Sequence, residues 1–180
     1  YSNIQLAELL VGRRKEPFIH VGHLDFNKSV ISIWAILWPS MRKNFIFRLS
    51  LRPEDCIEPA FPNLVCIPEA LVARWNQDYK RINQASKIDS ISSAAQALYS
   101  GYNEYKDFIE KFGIQIKSPQ SLNLLVQAKE KYTSNFNKFS EFLNLVRFIE
   151  VLSPNSTAGY AGKQLLIRQF ENLIKEFKIG

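Results

Sequence analysis

Histidine and cysteine are scarce in this chain, two of each in 180 residues, and that scarcity removes most metal and nucleophile chemistry at once. A structural zinc site takes four converging ligands, usually drawn from these two residue types. His20, His23 and Asp25 in HVGHLD come nearest. Positions three apart on an extended segment face opposite ways, so the two histidines read as structural, with Asp25 or Asn27 capping the helix that follows. Cys56 and Cys66 stand ten apart with no further cysteine, which is no disulfide framework and predicts a reducing, cytoplasmic setting. Cys66 lies inside the apolar run LVCI and reads as buried. Cys56 follows Asp55, whose charge disfavours a thiolate. No local signature links either thiol to a histidine, so cysteine catalysis is not expected.

Glycine is also sparse, seven residues, and none form a dinucleotide-binding loop. The segment AGYAGKQLL has glycines and a lysine before a helix. A phosphate loop needs GxxxxGK followed by Ser or Thr. Here Gly159 and Gly162 are three apart, and Gln164 stands where the hydroxyl belongs. The carboxylates are scattered. Neither an enzyme nor a cofactor is expected. No apolar run approaches the ~20 residues that cross a bilayer. No charged leader with an apolar run and cleavage site is seen, so neither membrane insertion nor secretion is expected.

What is present is a dense block, Val30 to Leu51, reading VISIWAILWPSMRKNFIFRLSL. Val30, Ile31, Ile33, Trp34, Ile36, Leu37 and Trp38 predict an element buried on nearly every side. Pro39 ends it, because proline lacks an N–H and clashes with the preceding turn. Phe45, Phe47, Leu49 and Leu51 then alternate with Ile46, Arg48, Ser50 and Arg52. That is the period of a strand with one covered face and one wetter face.

Around this block, Asn3 to Val11 predicts a short helix closed by Gly12, and Phe18 to Val21 a brief strand closed by Gly22. Pro53, Pro59, Pro62 and Pro68 make residues 52–68 a run of turns with one strand, Leu64 to Ile67. Pro68 and Glu69 open a helix expected to reach about Tyr79. A soft boundary falls near Lys87. Beyond it, Ala94, Leu98, Tyr102, Tyr105, Ile109 and Phe112 share one helical stripe that Gly113 ends. Residues 120–153 contain neither Pro nor Gly, and their apolar positions recur in steps of three and four from Leu122 to Val146. They predict either one helix of about 50 Å or two broken near Ser134 and Asn135. Residues 154–162 read as a flexible connection, and Leu166, Phe170, Leu173 and Phe177 as a last stripe. Aromatics at this spacing read as core rather than as a stacking platform.

The expected fold is therefore α+β and predominantly helical. Residues 1–87 form a small mixed part with short strands, and 88–180 a helical bundle or antiparallel coiled coil. The net charge is +6, with 12 Lys/Arg against 8 Asp/Glu in residues 1–87 and 11 against 9 in the remainder. Arg42, Lys43, Arg48 and Arg52, with Arg13, Arg14 and Lys15 nearby, are the candidate binding residues, for a protein partner or for nucleic-acid phosphates. Glu54, Asp55 and Glu58 dilute that field.

The order of apolar element, Trp-Pro, basic turn, F-x-F strand, P-E-D and short strand ending in proline is carried here by WPSMRKNFIFRLSLRPED and LVCIP. Over residues 30–70 it resembles a segment of bacterial GTPase-associated proteins of multi-component (ternary) conflict systems. The resemblance implies a non-enzymatic adaptor or recognition module of a larger cytoplasmic protein. Its partners would be larger NTPase or effector components in anti-invader defence. It carries over no catalytic residue. A nucleic-acid-binding domain using the basic residues is the alternative.

Overall fold

Three short strands drawn from well-separated stretches form one parallel sheet, in the order β1 (Phe18–Val21), β3 (Leu64–Ile67), β2 (Phe47–Leu49). The computed structural model describes residues 2–12, 16–56, 61–75, 79–83, 90–134, 136 and 139–178, with side chains to Lys175. Parallel strands require crossovers. Helices α2 (Phe26–Ile36) and α3 (Pro39–Arg42) carry the chain from β1 to β2, and β3 then inserts between them. The fold is α+β and predominantly helical, as expected.

Register partners in a parallel pair share a face. Phe18, His20, Leu64 and Cys66 therefore lie on one side of the sheet, and Ile19, Val21, Val65 and Ile67 on the other. Phe18 and Leu64 join the main core. The second face packs with Cys56 and Trp75 in a separate small cluster.

The main core draws on both ends of the chain. Helix α1 (Asn3–Val11) buries Leu6, Ala7 and Leu10, and α4 (Ser93–Ser100) buries Ala94, Ala95 and Leu98 in the same cluster. Polar ties reinforce this packing. The Ser92 N–H donates to Glu8 Oε2 at 2.6 Å, and Gln120 Nε2 donates to the Leu10 carbonyl at 2.8 Å. The boundary expected near Lys87 lies outside the described residues, as do Arg13, Arg14, Lys15, Glu58 and Pro59.

Several expectations are corrected. The stripe from Ala94 to Phe112 is not one helix. Gly101, at φ +99°, breaks it into α4, a 3-10 turn at Tyr102–Glu104 and α5 (Lys106–Phe112). Residues 120–153 take the broken alternative, α6 (Leu122–Thr133) and α7 (Phe139–Leu152), with Ser134 extended. The helix expected from Glu69 to Tyr79 is a 3-10 turn, Glu69–Arg74, that ends at an extended Trp75. Asp25 does stand at the N-terminus of α2, but at φ +60° its carboxylate caps nothing and instead pairs with Lys28 at 2.6 Å. That pairing lowers the Asp25 pKa. Asn27 hydrogen-bonds the adjacent Lys28 N–H.

The connection expected over residues 154–162 is built for close approach. Helix α8 (Tyr160–Lys178) starts inside it, and α5 ends against it. A Cβ on Gly159, at φ +65°, would overlap the backbone of Phe112 and Gly113, and one on Gly162 would overlap the Lys111 carbonyl. Glycine is needed here for contact between two helix ends. Gly159→Ala should therefore lower stability by about 2 kcal/mol or more in urea unfolding, from strain and overlap together. Gly12→Ala, at an ordinary φ of −85°, should change it by less than about 1 kcal/mol. Equal effects would contradict the packing.

Candidate functional site

The ladder hydrogen bonds decide which backbone groups of the sheet remain free. In a parallel strand, alternate residues direct both N–H and C=O to opposite edges. The Leu64 N–H donates to the Ile46 carbonyl and the Ser50 N–H to the Cys66 carbonyl. Ile46, Arg48 and Ser50 thus face β3, and Phe47 and Leu49 turn their peptide groups to the outer edge. The opposite edge is closed. The Ile19 N–H donates to the Lys80 carbonyl at 2.9 Å, and the Ile82 N–H to the Ile19 carbonyl at 2.8 Å. Asn83 completes that closure by exchanging two side-chain hydrogen bonds with the Val21 backbone. On the β2 edge, no described residue pairs with the backbone of Phe47 or Leu49.

The side chains beside this open edge are apolar and exposed, which reverses two expectations. Phe47 is 45% exposed and Leu49 72%, and Leu51 just beyond is also exposed, whereas Ser50 on the other face is buried. Helix α2 covers the face of Phe47 and Leu49 only in part. Its Phe26 packs edge-on against His20 and Phe47, and Ile33 and Ile36 turn inward. Ile31 and Trp34 lie on the outer side of the helix, 65% and 39% exposed, so the element expected to be buried all round is amphipathic. Val30, Ile31, Trp34, Ala35 and Phe47 line a shallow cleft of about 400 Å³ against the open edge.

The four candidate basic residues are distributed around this block. Arg42 Nε donates to the carbonyls of Trp34 and Leu37, at 3.1 and 2.9 Å, and so satisfies the C-terminus of α2. Lys43 is exposed, with no ion pair among the described residues. Arg52 is exposed and pairs with Asp55 at 3.5 Å, and Asp55 also accepts from Ser50 Oγ at 2.7 Å. The Ser50 hydroxyl, followed by desolvation and the Arg52 N–H, sets the Asp55 pKa, with a net lowering. Arg48 is a register partner of Val65, which turns it toward the second face of the sheet. Its Nε and Nη2 are shut off from water and have no hydrogen-bond partner among the described residues.

Sequence reasoning missed one pairing. His20 and Cys66 are register partners, both buried, and both converge on the Gly22 carbonyl, His20 Nδ1 at 3.0 Å and Cys66 Sγ at 3.1 Å. A carbonyl only accepts, so each group donates, and the Cys66 proton is engaged in structure. Burial raises the thiol pKa of Cys66. Burial also raises that of Cys56, opposed by the nearby charge of Arg48. His23 is exposed. Among the described residues, no group of three His, Cys, Asp or Glu side chains could hold a metal ion.

A second depression, of about 580 Å³, lies between α7 and α8. Phe142, Val146, Ile149, Leu166 and Phe170 line it, and Lys163 at its rim is held by the carbonyls of Ser153 and Asn155. It offers apolar surface without converging catalytic groups.

No family model, no curated protein and no solved structure matches this chain. Both thiols should resist iodoacetamide at pH 8 in the folded protein and react at once in urea, read by mass spectrometry. Rapid alkylation of either native thiol would contradict the geometry.

Proposed function

We propose that this chain is a non-enzymatic protein-interaction module that takes up an extended segment of a partner protein as a fourth strand beside β2. The observation that carries this reading is the backbone of Phe47 and Leu49, unpaired among the described residues and flanked by exposed Phe47, Leu49, Ile31 and Trp34. Free sheet edges in native proteins are ordinarily shortened, charged or covered. Here one edge is covered by residues 80–83 and the other carries apolar side chains. Two outward N–H and C=O pairs spaced two residues apart on one edge match an extended chain. Covering each large apolar side chain contributes about 1.5–3 kcal/mol.

The resemblance of residues 30–70 to GTPase-associated proteins of bacterial conflict systems supplies the partner class, a larger NTPase or effector component in anti-invader defence. Two buried free thiols fit a reducing, cytoplasmic setting. Among the described residues, no helix is long and apolar enough to cross a membrane.

The test is a selection of displayed peptides on the folded chain, followed by Leu49→Pro. Proline is tolerated in an edge strand where the N–H faces outward. The variant should keep its urea midpoint close to wild type and lose the selected peptides. Peptides that bind wild type and Leu49→Pro equally, or no enrichment at all, would remove the reading.

A further inference from the structure

Arg48 occupies the middle of β2, and its guanidinium has two buried donors without a partner among the described residues. Nε and Nη2 are adjacent donors on one edge of the guanidinium, the pair that grips a carboxylate side-on. Both lack partners, and the Arg48 side chain makes no hydrogen bond or ion pair with any described residue. Asp55, the acid that orders the turn beyond β2, is taken up by Ser50 and Arg52. Trp75 Nε1, in the cluster on the same face of the sheet, is a further buried donor without a partner. Unsatisfied donors of this kind destabilise a fold, and each calls for an explanation.

From the register, resting on the strand-addition reading above, we infer that the incoming strand carries an acidic residue opposite Arg48, between two apolar residues. Arg48 directs its own peptide groups to β3, so on a strand added antiparallel to β2 the residue opposite it occupies a non-hydrogen-bonded position. Cβ atoms of such pairs lie about 4.5–5.5 Å apart, and both side chains point to the same face. An Asp or Glu at that position reaches the guanidinium. Its two neighbours fall on the other face, against Phe47 and Leu49. The recognised pattern is apolar, acidic, apolar, and Arg48 is the residue that sets the central choice.

The experiment titrates the peptides Thr-Val-X-Val-Thr, with X as Glu, Gln or Lys, to millimolar concentration and follows the amide resonances of Phe47 and Leu49. The Glu peptide should bind about tenfold more tightly than the Gln peptide, the scale of a hydrogen bond to a charged group. The Lys peptide should bind more weakly still. In Arg48→Met, which keeps an unbranched side chain of similar length, the Glu and Gln peptides should bind alike, and the urea midpoint should be unchanged or higher. Equal affinities of the Glu and Gln peptides for wild type would overturn the role of Arg48 and leave strand addition standing. Peptides that bind without moving the Phe47 and Leu49 resonances, or no binding by any of the three, would overturn both.

Discussion

The parallel ladder β1-β3-β2 is the constraint on which the rest of the structure depends. Its central strand, Leu64–Ile67, is buried along its whole length and supplies backbone partners on both sides. Those partners fix which residues of β2 look inward. Because the Leu64 N–H meets the Ile46 carbonyl and Ser50 meets Cys66, the peptide groups of Phe47 and Leu49 face outward. The same register sends Arg48 to the face of Val65 and Phe47 to that of Leu64. One set of hydrogen bonds thus determines the open edge, its apolar flank and the buried guanidinium.

Helices complete the sheet unevenly. Segment 80–83 seals the β1 edge, α2 covers the first face only as far as Phe26 and Ile33, and Trp75 and Cys56 close over the second. Helix α1 ties this assembly to α4, so the sheet is backed by the core that the C-terminal helices build. A rigid support of that kind suits a binding edge, since a strand that is already ordered loses little entropy when a partner docks. The exposed side chains of Ile31, Trp34 and Phe47 share one cleft, and exposed Leu49 follows two residues along the same face of β2, so these apolar residues are not scattered singly.

Much of the element plan was legible in the sequence, because it depends on local rules. Gly22 closes β1, Pro39 stops α2, and the alternation from Phe45 to Leu51 marks a strand. What alternation does not contain is which face will be covered. That depends on where α2 crosses, and α2 leaves Phe47 and Leu49 past its edge. The stripe from Ala94 to Phe112 misled for a related reason. Its residues stay on one face through a 3-10 turn, so the spacing persists across the break that Gly101 makes in the backbone. The basic residues were visible as a group in sequence, but their separation needed the register. Arg42 is spent on helix carbonyls, Arg52 on Asp55, and Arg48 turns to the opposite face from Phe47. The His20 and Cys66 pair was invisible because 46 residues separate them and only strand pairing joins them.

The most direct measurement of the central claim is native-state amide hydrogen exchange, resolved by residue, on the chain without a partner. Amides held in the ladder exchange only on opening, and outward-facing ones exchange freely. Strong protection is expected at Arg48 and Ser50, with fast exchange at Phe47 and at Leu49 between them. Protection at Phe47 and Leu49 equal to that of their neighbours would mean that the β2 edge is already covered and would contradict an open edge there.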